Sequence, residues 1–188
     1  MVGNSGAGKT VLARRVANAL GVPHLELDSL MHQPGWEPAP TEQFRAAVQA
    51  FLAQHADLGW VVDGNYRSRL GDLVVGSADT IAWLDYPRAV VAGRILRRTL
   101  GRVVFRRRLW NGNREQWSFL VKRDPYQNIL LWSWTQHHAY RETYAAAAAA
   151  GAQHQQWVRL RHPAHAARWL HSLEDGIAAG PDRGVTST

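Results

Sequence analysis

Cysteine is absent from the 188-residue chain, which excludes disulfide frameworks, thiolate metal sites and thiol redox chemistry and agrees with a cytosolic address. Lysine is scarce as well. Lys9 and Lys122 are the two lysines among 22 basic residues, so the formal charge of +7 is carried almost wholly by arginine. Arginine favours two-pronged contact with phosphate or carboxylate. A G+C-rich genome also produces abundant alanine and arginine, and net charge alone points only weakly to a polyanionic partner. Long apolar runs are missing. The stretch Ile129 to Trp134 falls far short of the roughly 20 residues a membrane span needs, and no charged segment precedes an apolar one at the N-terminus. The expectation is a cytoplasmic protein without a membrane partner. No internal repeat is visible, and 46% hydrophobic residues suffice for one packed domain with a small inserted lid.

What is present begins at the third residue. The segment GNSGAGKT meets the phosphate-loop pattern through Gly3, then Gly6 or Gly8, then Lys9 and Thr10. Its small residues let successive backbone N–H groups point at phosphate oxygens. Gly3, Asn4, Ser5, Gly6, Ala7, Gly8, Lys9, Thr10 and Val11 are therefore the expected binding residues for the triphosphate of a purine nucleotide. The helix that follows turns its positive dipole end to the same anion, Lys9 is placed to reach the β and γ phosphates, and the Thr10 hydroxyl is placed for magnesium. The bland alternative is a glycine-rich turn that binds nothing.

Downstream, strand and helix patterns alternate. Val11, Leu12, Val16, Ala19 and Leu20 share a helical stripe that Gly21 ends. His24 to Leu27 has strand character ending on Asp28, and a Pro/Gly-punctuated loop, MHQPGWEPAP, follows. Thr41 opens a helix carrying Phe44, Val48, Phe51 and Leu52 inward. Trp60 to Val62 reads as a buried strand ending at Asp63, and Thr80 to Leu84 as another ending at Asp85. Pro87 starts a helix over Arg88 to Leu100, and the arginine- and tryptophan-rich segment from Gly101 to Pro125 is the expected lid. Tyr126 to Ala150 is a long helix, its closing alanine run explained by helix propensity. Gln156 to Leu160 is a further strand, His165 to Leu173 the last helix, and residues 176 to 188 a frayed tail. The pattern predicts an α/β fold with a parallel sheet over residues 1 to 175.

Phosphate loops follow a buried strand, yet only Met1 and Val2 precede Gly3. The first strand is read as missing or truncated, and the natural protein is expected to start several residues upstream.

Asp28, Asp63 and Asp85 end predicted strands, and in a parallel sheet those ends lie along the ligand crevice. Asp63 is the candidate for the magnesium shell, directly or through water. Asp28 is the candidate for contacting a second substrate and accepting its proton, while Asp85 carries a weaker case. The plain alternative is that each caps the next helix. Arg94, Arg97, Arg98, Arg102, Arg106, Arg107 and Arg108 place seven guanidinium groups within fifteen residues. Arg106 to Arg108 with Trp110 and Trp117 mix cations and aromatics as single-strand nucleic-acid sites do. No nucleic-acid-binding fold signature accompanies them, so a lid packing its own tryptophans is preferred. His162 and His165 lack an acidic third ligand nearby, which leaves magnesium as the expected metal.

The segments GNSGAGKT, LELDSLMHQPGW, VVDGNYRSRL, ADTIAWLDYPRAVVAGRILRR and WVRLRHP together resemble the adenylate-kinase-like phosphate-loop proteins often labelled DNA topology modulation proteins. The resemblance runs from Gly3 to about Leu173. It implies a five-stranded parallel sheet of nucleoside-monophosphate-kinase type, flanked by helices, with ATP as the nucleotide. Adenylate-type kinases hold their monophosphate acceptor with an aspartate-glycine-phenylalanine-proline-arginine turn, of which Asp63, Gly64 and Arg67 match here. An arginine for an anionic acceptor is thereby implied, but adenosine monophosphate itself is not. By resemblance and position Arg94 and Arg98, four apart on one helical face, close over the transferring phosphoryl group, and Arg141 on the returning helix joins them. The zinc-binding cysteines of some adenylate kinase lids are absent, so the lid is expected to be metal-free. The functional expectation is an ATP- and magnesium-dependent phosphotransferase acting on a small-molecule acceptor. The alternatives are a nucleic-acid-associated ATPase and a nucleotide-binding regulatory protein without turnover.

Overall fold

The computed structural model of the chain describes residues 1–104, 110–113, 128–152 and 154–178. Among the described residues five short strands and seven α-helices follow one another: β1 (Val2–Gly3), α1 (Lys9–Leu20), β2 (His24–Glu26), α2 (Leu27–Met31), α3 (Thr41–Gln54), β3 (Val61–Asp63), α4 (Arg67–Leu70), β4 (Thr80–Leu84), α5 (Arg88–Val104), α6 (Ile129–Ala149), β5 (Gln156–Leu160) and α7 (Pro163–Ala178). All strand pairings are parallel. β1, β4 and β5 form one sheet in that order and β2 with β3 a second. Two main-chain bonds run between them, from the Met1 amine to Val62 O at 2.7 Å and from Gly64 N–H to Met1 O at 3.4 Å.

Both faces of the strands are covered by helices, which is why β3 and β4 are near-continuous apolar runs rather than alternating ones. Val61 packs with α1, α5 and α7, and its neighbour Val62 packs with α2, α3 and α4. Leu84 and Trp83 divide in the same way between the first core and a smaller one with Tyr144. Helix α1 buries Leu12, Ala13, Val16 and Ala17, two i, i+4 pairs that make one stripe. It ends at Gly21, φ 67°, where the Val22 N–H bonds back to Ala17 O at 3.0 Å. That left-handed exit suits glycine because no Cβ opposes it.

Several boundaries differ from the sequence reading. The expected strand over His24 to Leu27 stops at Glu26, and Asp28 lies in the first turn of a helix. The reason is tertiary: Leu27 and Met31, one helical turn apart, are both buried against α3. Helix α5 runs on to Val104, so the first residues of the expected lid are helical. Helix α7 begins at Pro163 and carries Gly176 and Ile177, shortening the expected tail. Phe51 is only half-buried and its ring meets His55 edge-on. Arg106 to Arg108 and Trp117 lie outside the described residues, as do residues 179–188. No helix among the described residues is long and apolar enough to cross a membrane.

Candidate functional site

The glycine-rich loop is held in place from three directions. Gly6 and Gly8 adopt φ 80° and 96°, a region that L side chains rarely enter. A Cβ on Gly8 would stand 2.9 Å from an Arg94 guanidinium nitrogen, and one on Gly6 would collide with Ile95. The loop thus rests directly on α5, from which Arg94 donates to Ala7 O at 2.6 Å while its guanidinium lies over the Tyr86 ring. From α6, Ser133 accepts the Asn4 side-chain amide at its carbonyl (2.8 Å) and offers its hydroxyl to Ser5 O (3.3 Å). Asn4, expected at the phosphates, is buried, and its Oδ1 accepts the Ser5 N–H at 2.8 Å.

Asn65 makes the third tie. Its Nδ2 donates to Gly3 O at 2.5 Å, and its Oδ1 accepts from Gly3 N–H (3.3 Å) and from the Tyr144 hydroxyl (2.9 Å). The side chain therefore pairs with Gly3 as a neighbouring strand would. Changing Asn65 to alanine removes the acceptor of the Gly3 N–H and of the Tyr144 hydroxyl, while the Gly3 carbonyl keeps Lys9, and should destabilise the protein by about 1–3 kcal/mol. Urea denaturation with an unchanged m-value is the measurement.

At the start of α1 no side chain caps the helix, which leaves its first-turn N–H groups without an intrahelical acceptor. Lys9 Nζ donates to Gly3 O (3.1 Å) and Asn4 O (3.3 Å). Burial lowers its pKa, an effect opposed by the nearby carboxylates of Asp28, Asp63 and Glu26 and reinforced by Arg98. The ammonium is thus the centre of a mixed charge cluster. Thr10 Oγ1 lies 2.9 Å from Asp63 Oδ1 and 3.1 Å from Glu26 Oε1. Asp63 is buried, and its second oxygen is 2.8 Å from His24 Nε2. Glu26 also pairs with Arg14 at 3.0 Å.

These are hard oxygen donors, the chemistry that suits magnesium. Among the described residues no three His, Cys, Asp or Glu side chains gather into a metal cage of their own. Thr10, Asp63 and Glu26 thus fit an ion that draws its remaining ligands from phosphate and water.

Asp28 acts electrostatically on the same Lys9 ammonium. Tyr66 donates its hydroxyl to Asp28 Oδ1 at 2.6 Å, with His32 Nε2 3.4 Å from the same hydroxyl. Burial and then the Asp28 charge push the Tyr66 hydroxyl pKa up, so it remains a proton donor to the carboxylate throughout the ordinary pH range. Over this group lies the segment from Met31 to Trp36, pinned by residues 110–113. Asn111 Nδ2 donates to His32 O (2.6 Å), Asn113 Nδ2 to Gln33 O (2.9 Å), and Asn113 Oδ1 accepts the Trp36 N–H (3.1 Å). Trp110 stacks on His32 at 5.6 Å and meets Trp36 edge-on at 6.3 Å. That tryptophan is packed against its own chain.

The predicted arginines divide. Arg94 touches the loop and Arg98 acts on Lys9. Arg67 points elsewhere: its guanidinium pairs with Asp72 at 2.8 Å on the surface. Arg141 is held by Asp85 at 3.1 Å, and Arg159, at 2.6 Å, shares that carboxylate oxygen. Capping does not explain the three aspartates, since Asp28 binds Tyr66, Asp63 binds Thr10 and His24, and Asp85 binds two arginines. Residues that sequence reasoning missed are Glu26, His24, Asn65 and Tyr66. Only the register of β2 against β3, which sets His24 beside Val61 and Glu26 beside Asp63, groups the first two with Asp63. No protein-family model matches the chain, and no curated protein matches it.

Proposed function

We propose that the chain is an ATP-dependent phosphotransferase, related to the adenylate-kinase-like phosphate-loop proteins, that moves the γ-phosphoryl group to a hydroxyl of a small-molecule acceptor. The observation that carries this reading is the meeting of Lys9, Thr10 and Asp63 with Asp28 at the first turn of α1. A triphosphate bound along Gly3 to Val11 would set its terminal phosphate against Lys9. In the same reading β2, β3, β1, β4 and β5 make one five-stranded sheet in that order, with the Met1 bonds to β3 as its seam.

Lys9, Arg94 and Arg98 draw charge off the phosphoryl oxygens as the bond to the leaving ADP lengthens. Asp28 accepts the proton of the acceptor hydroxyl as its oxygen bonds to the γ-phosphorus. Tyr66 orients Asp28 for that task. Thr10, Asp63 and Glu26 would hold magnesium, which, when bound, neutralises β- and γ-phosphate oxygens. The segments 31–36 and 110–113 exclude water that would otherwise take the phosphoryl group. Arg67, the arginine implied for an anionic acceptor, is paired with Asp72 at 2.8 Å, which favours an uncharged alcohol over a nucleoside monophosphate.

Calorimetry with Mg-ATP, followed by a labelled-ATP screen across nucleosides, sugars, other small alcohols and nucleotides, tests the proposal. Heat with Mg-ATP and transfer to an alcohol are expected. Silence toward every Mg-nucleotide at millimolar concentration overturns the reading.

A further inference from the structure

Alternation along β2 and β3 sends three polar side chains to one face. Val61 packs with α1, and Asp63, two residues on, points the same way. The register sets His24 beside Val61 and Glu26 beside Asp63, so His24 and Glu26 also face α1, where Thr10 lies in the first turn. The Thr10 hydroxyl meets one oxygen of each acid, Asp63 Oδ1 at 2.9 Å and Glu26 Oε1 at 3.1 Å. A hydroxyl has one hydrogen, so it can serve only one of the two. Two carboxylate oxygens turned to a single hydroxyl suit a divalent cation that all three can share.

The outer oxygens of the two acids are held differently. Glu26 Oε2 pairs with Arg14, whose side chain is 63% exposed, and a contact so open to water fixes little. Asp63 Oδ2 is 2.8 Å from His24 Nε2, between side chains that are only 3% and 13% exposed. A carboxylate only accepts, so Nε2 carries the hydrogen of this bond. The last torsion of an aspartate is broad and soft. Left to turn, the Asp63 carboxylate would offer Thr10 either oxygen. The shielded bond to His24 removes that freedom and keeps Oδ1 forward.

We propose that His24 is a positioning residue for the metal end of the site: through Nε2–H it fixes the rotation of Asp63, so that Oδ1 stands ready beside Thr10 for magnesium. This role rests on the nucleotide reading given above. His24 is not itself a ligand, because its Nε2 is turned to Asp63. Its effect is on how well the carboxylate is aimed, and partners of that kind change metal affinity by about 10- to 100-fold.

Calorimetry of wild type, His24→Leu and His24→Gln with Mg-ATP, and again with ATP in EDTA, tests the role. The quantity read is the ratio of the two affinities, in which general damage to the nucleotide site cancels. Leucine has no donor, so the ratio in His24→Leu should fall by about 10-fold or more, while ATP in EDTA binds within about twofold of wild type. Glutamine carries an N–H at similar reach, and His24→Gln should hold the ratio within about threefold. The unaltered protein gives a reading that needs no variant: Mn²⁺ added with ATP should broaden the His24 imidazole resonances before those of any other histidine. Wild-type protein that takes up ATP in neither form sinks the nucleotide reading and this role together. Where wild type does bind, the role of His24 alone is overturned by a wild-type ratio near one, an unchanged ratio in His24→Leu, or equal losses with and without magnesium. A glutamine variant as weak as leucine, or first broadening at another histidine, overturns it too.

Discussion

Replacing Lys9 with alanine is expected to lower phosphotransfer by about a thousandfold or more while the protein remains folded. The magnitude follows from position. Lys9 Nζ is tied to the loop carbonyls of Gly3 and Asn4, so its charge is fixed where a γ-phosphate would sit and needs no reorganisation at the moment of transfer. Folding loses two hydrogen bonds and one cation facing Asp28, Asp63 and Glu26, a cost of about 1–3 kcal/mol. Circular dichroism and a thermal melt establish that the variant is folded, and single-turnover transfer of labelled phosphate measures the rate. Full activity in the folded variant would remove Lys9 from the chemistry and the proposed mechanism with it.

The second large effect is expected at Asp28. Asp28→Asn keeps the shape and can still accept the Tyr66 hydroxyl bond of 2.6 Å, but it has no basic oxygen to take a proton. A loss of about 10²- to 10⁴-fold in kcat is expected. KM for ATP should hardly move, because Asp28 lies in α2 and not on the glycine-rich loop. Tyr66→Phe removes only the group that orients the carboxylate, and should cost about tenfold. A change in KM for ATP with kcat preserved would show that Asp28 supports the nucleotide and does not act on the acceptor.

The two parts of the candidate site were legible in the sequence to different degrees. The glycine-rich loop is a local pattern: neighbouring residues carry their own backbone requirements, and Gly6 and Gly8 stand where the chain takes positive φ angles. The aspartates were readable as strand ends, because parallel α/β folds put those ends on one edge. Asp28 shows the limit of that rule. It reached the site even though its strand ended two residues earlier and a helical turn took over. Arg67 shows the opposite failure. Its spacing after Asp63 matched a known turn, yet a residue five positions on, Asp72, was the nearer partner for its charge.

Roles carried by uncharged residues were not legible. Asn65 and Tyr66 have no chemistry that marks them in a sequence, and their roles come from what lies opposite. One pairs with Gly3 and Tyr144, and the other with Asp28.

By itself the amino-acid order determined the elements and the loop, because helix stripes, buried apolar runs and glycine positions are set by neighbours within a few residues. The tertiary structure alone decided which charges meet. Lys9, Glu26, Asp28 and Asp63 come from different segments and share one cluster, while Arg67 and Arg141 are drawn off by Asp72 and Asp85. Electrostatic attraction depends on distance in space and on burial, and neither is a property of position along the chain.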